Sequence, residues 1–317
     1  MNIIDPKAQL NLYGYENYFA SFAKLHKKNK LPNVILLSGL KGAGKSTFVY
    51  HFVNYLLSQD EVNKYMLSNF KINEDNTSFK LIQNNMHPNF FLLENNLNDE
   101  NIKIDQVRKL LKFLSKTTYS KNIKIVFIDN AEFLNNNSSN ALLKCLEESS
   151  NNTFFFIVQN SSSKLLDTIK SRCITFKIYF NESEKEKIFN KIITNYELKY
   201  NENDIKIFYS FDSPGNILRN LSILEGFEND IFKDLLSSIF YLLEKYKNSK
   251  NPDLLNFISL VIQYFYNEQS IKNTKNLNNY FVSNYEILHQ ISNMKKFNLD
   301  KNNLLISISK ILENEKK

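Results

Sequence analysis

The sequence predicts an α/β fold built on a parallel sheet and followed by an all-helical C-terminal part. Three observations carry that prediction. Five short apolar runs, at 34–37, 90–93, 123–128, 154–158 and 174–178, are rich in β-branched or aromatic residues, as strands covered on both faces are. Helical stripes lie between them, and strands joined through helices imply crossover connections and parallel pairing. Beyond about residue 178 the strand signal fades and amphipathic helical spacing takes over.

Behind Lys45, the pairs Phe48/Val49, Phe52/Val53 and Leu56/Leu57 recur every four residues and predict a helix. Val107, Leu110, Leu111 and Leu114 trace one face of a second, with Asp105 as its expected N-cap. Segments 182–198, 203–209, 217–224, 231–246, 254–266 and 287–311 read as further amphipathic helices, the last interrupted near 297–302. Polar connections at 248–252 and 272–279 and a Pro214-Gly215 turn punctuate them. Asn-rich stretches at 95–101, 135–140 and 272–279 read as surface loops.

The 317 residues allow about two domains at ~150 residues each. With 43% hydrophobic and 23% charged residues, a disordered chain is excluded. The charge of +7 permits a polyanionic partner without requiring one. The basic cluster Lys24, His26, Lys27, Lys28, Lys30 reads first as a solvated helix end and second as a phosphate-backbone contact. Two cysteines, Cys145 and Cys173, cannot build a disulfide framework or a four-cysteine zinc site. His26, His51, His87 and His289 are scattered without metal spacing. No secretory leader is recognisable at the start and no run approaches the ~20 apolar residues a bilayer needs. The expectation is a cytoplasmic chain with no membrane partner.

Between the first apolar run and the helix behind it stands Gly39-Leu40-Lys41-Gly42-Ala43-Gly44-Lys45-Ser46, a full G-x-x-x-x-G-K-[ST] pattern with Thr47 following. Gly39, Gly42 and Gly44 let backbone N–H groups wrap a phosphate chain, and the helix N-terminus adds positive potential. Lys45 is the expected partner of the β- and γ-phosphates, and the Ser46 hydroxyl of Mg²⁺. The matching carboxylate is expected at the tip of a neighbouring strand, where Asp129 ends the run 123–128. The plainer reading of Asp129 is a residue that caps a turn.

Further motifs narrow the class. Asn140-Ala141-Leu142-Leu143-Lys144-Cys145-Leu146-Glu147-Glu148 resembles the N-A-L-L-K-x-L-E-E signature of the clamp-loader branch of AAA+ ATPases, and Ser171-Arg172-Cys173 resembles that branch's Ser-Arg-Cys motif. Leu31-Pro32-Asn33, His87-Pro88, the segment 102–108 and Ser213-Pro214-Gly215 are similar to delta-prime subunits of bacterial DNA polymerase III. The resemblance covers about residues 10–226. It implies an α/β P-loop AAA+ domain over 1–178, a small helical lid over 179–228 and an all-α collar over 229–317. It implies ATP and Mg²⁺ as cofactors and a hetero-oligomer of motor and delta-type subunits, which opens a sliding clamp and places it on primed DNA. Arg172 would then be an arginine finger reaching the γ-phosphate of the adjacent motor subunit; its bland alternative is a helix cap or a pair with a local carboxylate. Asn160, at the end of the run 154–158, reads either as a sensor of the γ-phosphate or as an ordinary strand-to-loop asparagine.

The sequence departs from the family pattern in three places. Asn130 stands where a motor ATPase has the glutamate that activates water, and an amide cannot accept the proton. Glu132 is expected further along the strand direction and out of reach. Losing a general base costs ~10²–10⁴-fold in rate, so ATP binding with little or no hydrolysis is expected. Arg219, the candidate second sensor, lies one place further from Gly215 than the family pattern has it, and reads better as part of a solvated helix face. Finally, 58–122 holds no cysteine, so the zinc module of many relatives is expected to be missing. Two rival readings stay open: a motor ATPase of the same loader, and a P-loop nucleotide kinase.

Overall fold

A computed structural model describes residues 5–95, 101–116, 123–148, 152–197, 212–224, 234–297 and 299–314. The chain separates into two compact units, Met1–Lys199 with Ser213–Asn216, and Tyr200–Asp212 with Ile217–Lys317.

In the first unit, β1 (Val34–Gly39), β2 (Phe90–Leu93), β3 (Lys124–Ile128), β4 (Thr153–Asn160) and β5 (Ile174–Ile178) form one sheet in the order β2-β3-β4-β1-β5. Every pairing is parallel, as the alternation of runs and stripes requires. The connecting helices are α1 (Glu16–Lys27), α2 (Lys45–Leu57), α3 (Thr77–Gln83), α4 (Ile104–Ser115), α5 (Asn136–Glu147), α6 (Asp167–Lys170) and α7 (Glu182–Tyr196). Successive strand residues face opposite layers. Leu36, Val126, Phe155 and Ile157 join Val107 and Leu110 of α4 and Leu142 and Leu146 of α5 in one buried cluster. Phe156, by contrast, meets Phe52 of α2. There Phe48 and Phe52 pack edge-on to Phe19 and Phe22 of α1, with ring centroids 5.3 to 6.1 Å apart. Helix α2 is buried almost all round, which fixes the loop that precedes it.

Several local expectations are corrected. Strand β5 is an edge strand, not one covered on both faces: Ile174 is 54% exposed. Asp105 does not cap α4; Lys103 holds that position, its N–H donating to Gln106 Oε1 at 2.8 Å, and Asp105 pairs with Arg108 one turn on. The Asn-rich stretch 135–140 is the start of α5, because Asn135 accepts the Ser138 N–H at 2.8 Å as an N-cap. The expected helix 203–209 and most of the stretch 95–101 lie outside the described residues.

In the second unit, α8 (Pro214–Leu224), whose residues from Ile217 belong here, is followed by α9 (Leu235–Ser249), α10 (Pro252–Lys272), α11 (Leu277–Phe297) and α12 (Lys301–Asn314). Pro214 opens α8 rather than turning the chain. The stretch 272–279 is a short 3₁₀ turn that hands α10 to α11, not a long polar loop. Helices α9 to α12 pack in succession and α12 returns to α9, as short connections favour. Leu242, Phe257, Ile258, Ile262, Ile287 and Ile308 form its buried interior. Among the described residues no helix is long and apolar enough to cross a membrane.

One buried group makes the first unit's stability depend on pH. His51 is 0% exposed, with Nε2 3.1 Å from Gln9 O and Nδ1 3.0 Å from the Tyr65 hydroxyl. A carbonyl can only accept, so Nε2 carries the proton and Nδ1 accepts from Tyr65. Burial pushes the imidazole down to about 3 from 6.5. The folded state therefore resists a proton that the unfolded chain takes up. This contribution is complete above pH 6.5 and is lost as the pH falls toward 3, at up to ~1.4 kcal/mol per pH unit. Urea midpoints between pH 7 and 4 should fall less steeply in His51→Gln than in the parent. Equal slopes would remove His51 from the account.

Candidate functional site

The glycine-rich loop leaves the C-terminal end of β1 and enters α2. Gly42 and Gly44 hold φ of +77° and +82°, the left-handed region in which a side chain is strained, and this turns backbone N–H groups toward one concavity. No side chain caps α2, so its first N–H groups are left for an anion. The loop is braced from both sides. Tyr15, buried against Phe48, donates its hydroxyl to Ala43 O at 2.8 Å. The Ser213 hydroxyl donates to Lys41 O at 2.6 Å and the Gly215 N–H to Gly42 O at 2.9 Å. A Cβ on Gly42 would stand 2.4 Å from Ser213 Oγ.

Lys45 is 5% exposed, and its Nζ donates to Gly39 O at 2.8 Å and Leu40 O at 2.6 Å. Burial pushes the ammonium down to about 8, against the pull of the Glu132 and Asp129 carboxylates. The Ser46 hydroxyl, one residue on, donates to Asp129 Oδ1 at 2.8 Å, and the Asn130 N–H donates to the same oxygen at 3.0 Å. Burial pushes the Asp129 carboxyl up to about 6 despite both bonds. A hydroxyl and a carboxylate oxygen held together are hard oxygen ligands of the kind Mg²⁺ takes. The residues present therefore fit a Mg²⁺–nucleotide: Ser46 and Asp129 would hold the cation, and the glycine loop with Lys45 the phosphates. Thr47 is half-buried in the first turn of α2.

Asn160 closes β4 in register with Gly39. Its Oδ1 accepts the Ser162 N–H at 3.2 Å, which leaves Nδ2 uncommitted among the described residues. Its own N–H donates to the Glu132 carboxylate, at 3.2 and 3.3 Å to the two oxygens. The expected course of the chain past Asp129 is corrected here. Asn130 adopts φ 52° and Ala131–Phe133 makes one 3₁₀ turn, so Glu132 folds back onto the tip of β4 instead of running on along β3. Glu132 is a site residue that sequence reasoning named but placed out of reach, and the loop brace Tyr15 is one it missed. Only the tolerance of asparagine for the left-handed region hinted at the first.

The remaining candidates make contacts of their own. Arg172 follows α6 and engages Glu147, the last residue of α5, together with Thr168 O. Arg219 pairs with Asp253 at 3.6 Å within the second unit. Cys145 is buried in the core, with Cys173 packed against the same cluster. No group of three or more His, Cys, Asp or Glu suited to a metal occurs among the described residues.

Comparison with known proteins agrees with this geometry. A family model described as "DNA polymerase III, delta subunit" matches residues 14–182. The DNA polymerase III subunit delta′ of Pseudomonas aeruginosa is 34% identical over 155 residues, 49% of this chain and 45% of its own length. The match thus spans less than half of that relative. A DNA polymerase III gamma subunit-related protein from Thermotoga maritima shares the fold at TM-score 0.50 and 17% identity, over 93% of this chain and 99% of that one. Domain III of the Thermotoga maritima replication initiation protein DnaA matches at TM-score 0.42 and 14% identity, over 83% and 97% of the two chains. With a phosphate loop on a parallel sheet of order β2-β3-β4-β1-β5 and a family match over more than half its length, the chain belongs to the DNA polymerase III delta-subunit family.

Proposed function

We propose that this chain is a delta-prime-type clamp-loader subunit: a cytoplasmic scaffold that binds ATP with Mg²⁺, hydrolyses the ATP slowly or not at all, and lends Arg172 to the nucleotide of a neighbouring motor subunit. The assembly, with a delta-type subunit, places a sliding clamp on primed DNA. The observation that carries this reading is the register of the sheet. The phosphate loop leaves β1 at Gly39, whereas Ile174 pairs with Ile35, and Arg172 lies two residues before Ile174. In a parallel sheet these are opposite ends. The four steps from Ile35 to Gly39 alone span roughly 13 Å at ~3.3 Å per residue. That separation from its own phosphate loop supports a role for Arg172 at another chain's phosphates.

Slow turnover is supported by Asn130 and by Glu132, whose carboxylate is engaged by the Asn160 N–H. The motor reading draws on the intact loop and the Ser46–Asp129 pair. Steady-state ATPase of the chain alone separates the two: turnover that Lys45→Ala abolishes would favour the motor.

The lid over 179–228 and the collar over 229–317 belong to the same proposal. On α11, Leu277, Phe281 and Tyr285 recur every four residues and are 46%, 72% and 62% exposed, with Val282 at 59% beside them. An apolar stripe of this kind on a surface helix suits a protein neighbour. Mixed with motor and delta-type subunits of the same genome, the chain should co-elute as one complex in size-exclusion chromatography with light scattering. Phe281→Asp should weaken that complex at least ~10-fold while leaving the isolated chain folded. Unchanged assembly would move the interface off α11.

A further inference from the structure

We infer that Glu147 is the positioning residue for Arg172, a carboxylate that holds the guanidinium so that its free donors face an anion brought by a neighbouring chain; this rests on the reading of Arg172 as a finger. The contact joins two motifs that the sequence keeps apart. Arg172 Nε donates to Glu147 Oε1 at 2.7 Å, and Nη2 donates to the same oxygen. Nη1 donates to Thr168 O at 2.7 Å, and Ser171 Oγ stands at the outer limit, 3.5 Å away. A guanidinium has five N–H donors. The bonds to Glu147 and Thr168 commit three, leaving one on Nη2 and one on Nη1 that meets only the Ser171 hydroxyl at 3.5 Å. Those two form the fork that matches a pair of phosphate oxygens.

Both partners are fixed from below. Glu147 ends α5, whose Leu142, Cys145 and Leu146 lie in the buried cluster that also contains Ile169 of α6, with Cys173 packed against it. Arg172 stands between Ile169 and Cys173, so its backbone belongs to a corner anchored on the same core as Glu147. The side chains themselves remain in water, at 31% exposure for Arg172 and 50% for Glu147. An ion pair this exposed adds little to stability. What it supplies is orientation: an unheld arginine samples many rotamers, and a held one has given them up before the phosphate arrives.

The test uses the full chain in a reconstituted loader. Glu147→Ala should lower the clamp- and DNA-stimulated kcat about 10-fold with KM for ATP and assembly unchanged. Glu147→Gln, which keeps an acceptor oxygen, should lower it about 3-fold. Arg172→Ala is run beside them. Loss in Arg172→Ala with a parental rate in Glu147→Ala overturns the positioning role and leaves the finger standing. Parental rates in both overturn the finger and this inference with it. Independently of the complex, the Arg172 Nε–H resonance of the isolated chain should move upfield and exchange faster in Glu147→Gln. A resonance that does not respond overturns the contact.

Discussion

In a reconstituted loader, Arg172→Ala is expected to lower clamp- and DNA-stimulated ATP hydrolysis by ~10³-fold or more, the range over which a supplied arginine stabilises phosphoryl transfer. The argument starts from the corner between α6 and β5. Arg172 is 31% exposed, and its ion pair with Glu147 is a surface pair worth at most ~1 kcal/mol. The variant should therefore fold, assemble and bind nucleotide as the parent does, and the whole loss should fall on the partner's chemical step. Arg172→Lys should recover little, because an ammonium is a point charge that cannot keep one edge on Glu147 while presenting a fork to phosphate. Phosphate release by the complex, set against co-elution of the subunits, measures both. A stimulated rate within twofold of the parent would sink the in-trans role and return Arg172 to a local helix-end residue.

The parallel sheet and the phosphate loop are legible in the sequence because each is carried by local chemistry. Apolar β-branched runs separated by helical stripes admit few arrangements, and G-x-x-x-x-G-K-S between a strand and a helix admits fewer. What escapes is whatever depends on a neighbour distant in sequence. The exposure of β5 follows from its place at the sheet edge, which its run of Ile174 to Ile178 does not reveal. The start of α5 hides in a string of asparagines because the same residue type serves loops and N-caps alike. Glu132 was misplaced because one left-handed residue, Asn130, converts an extended chain into a turn, and strand geometry was carried past the end of β3 at Ile128. The bracing of the loop by Tyr15 and Ser213 joins positions 28 and 172 residues apart, which no local pattern encodes.

The phosphate-loop site yields a second large effect, of opposite sign in stability and in binding. Asp129→Asn should stabilise the nucleotide-free chain, measured in EDTA at pH 7, by about 1–2 kcal/mol, and should weaken Mg²⁺-dependent ATP binding by ~10²-fold. The wild-type carboxyl is raised by burial to about 6 from 3.8. Between those values the folded chain holds a proton that the unfolded chain has released. Its contribution to stability is therefore present below pH 3.8 and lost as the pH rises through 6. At pH 7 the full cost of a poorly solvated anion remains, reduced by the water that reaches a half-buried group. Asparagine removes the charge and keeps an oxygen to accept from Ser46. The advantage of the variant should then be clear at pH 7 and nearly gone at pH 4, as thermal unfolding at the two values will show. A variant no more stable at pH 7 would mean that the carboxylate is at ease without a cation. A partly buried anion bonded to a hydroxyl beside a phosphate loop is offset in part by Lys45 and further when a cation binds there, and the loss of Mg²⁺-dependent affinity in the same variant is what ties that cost to the cation.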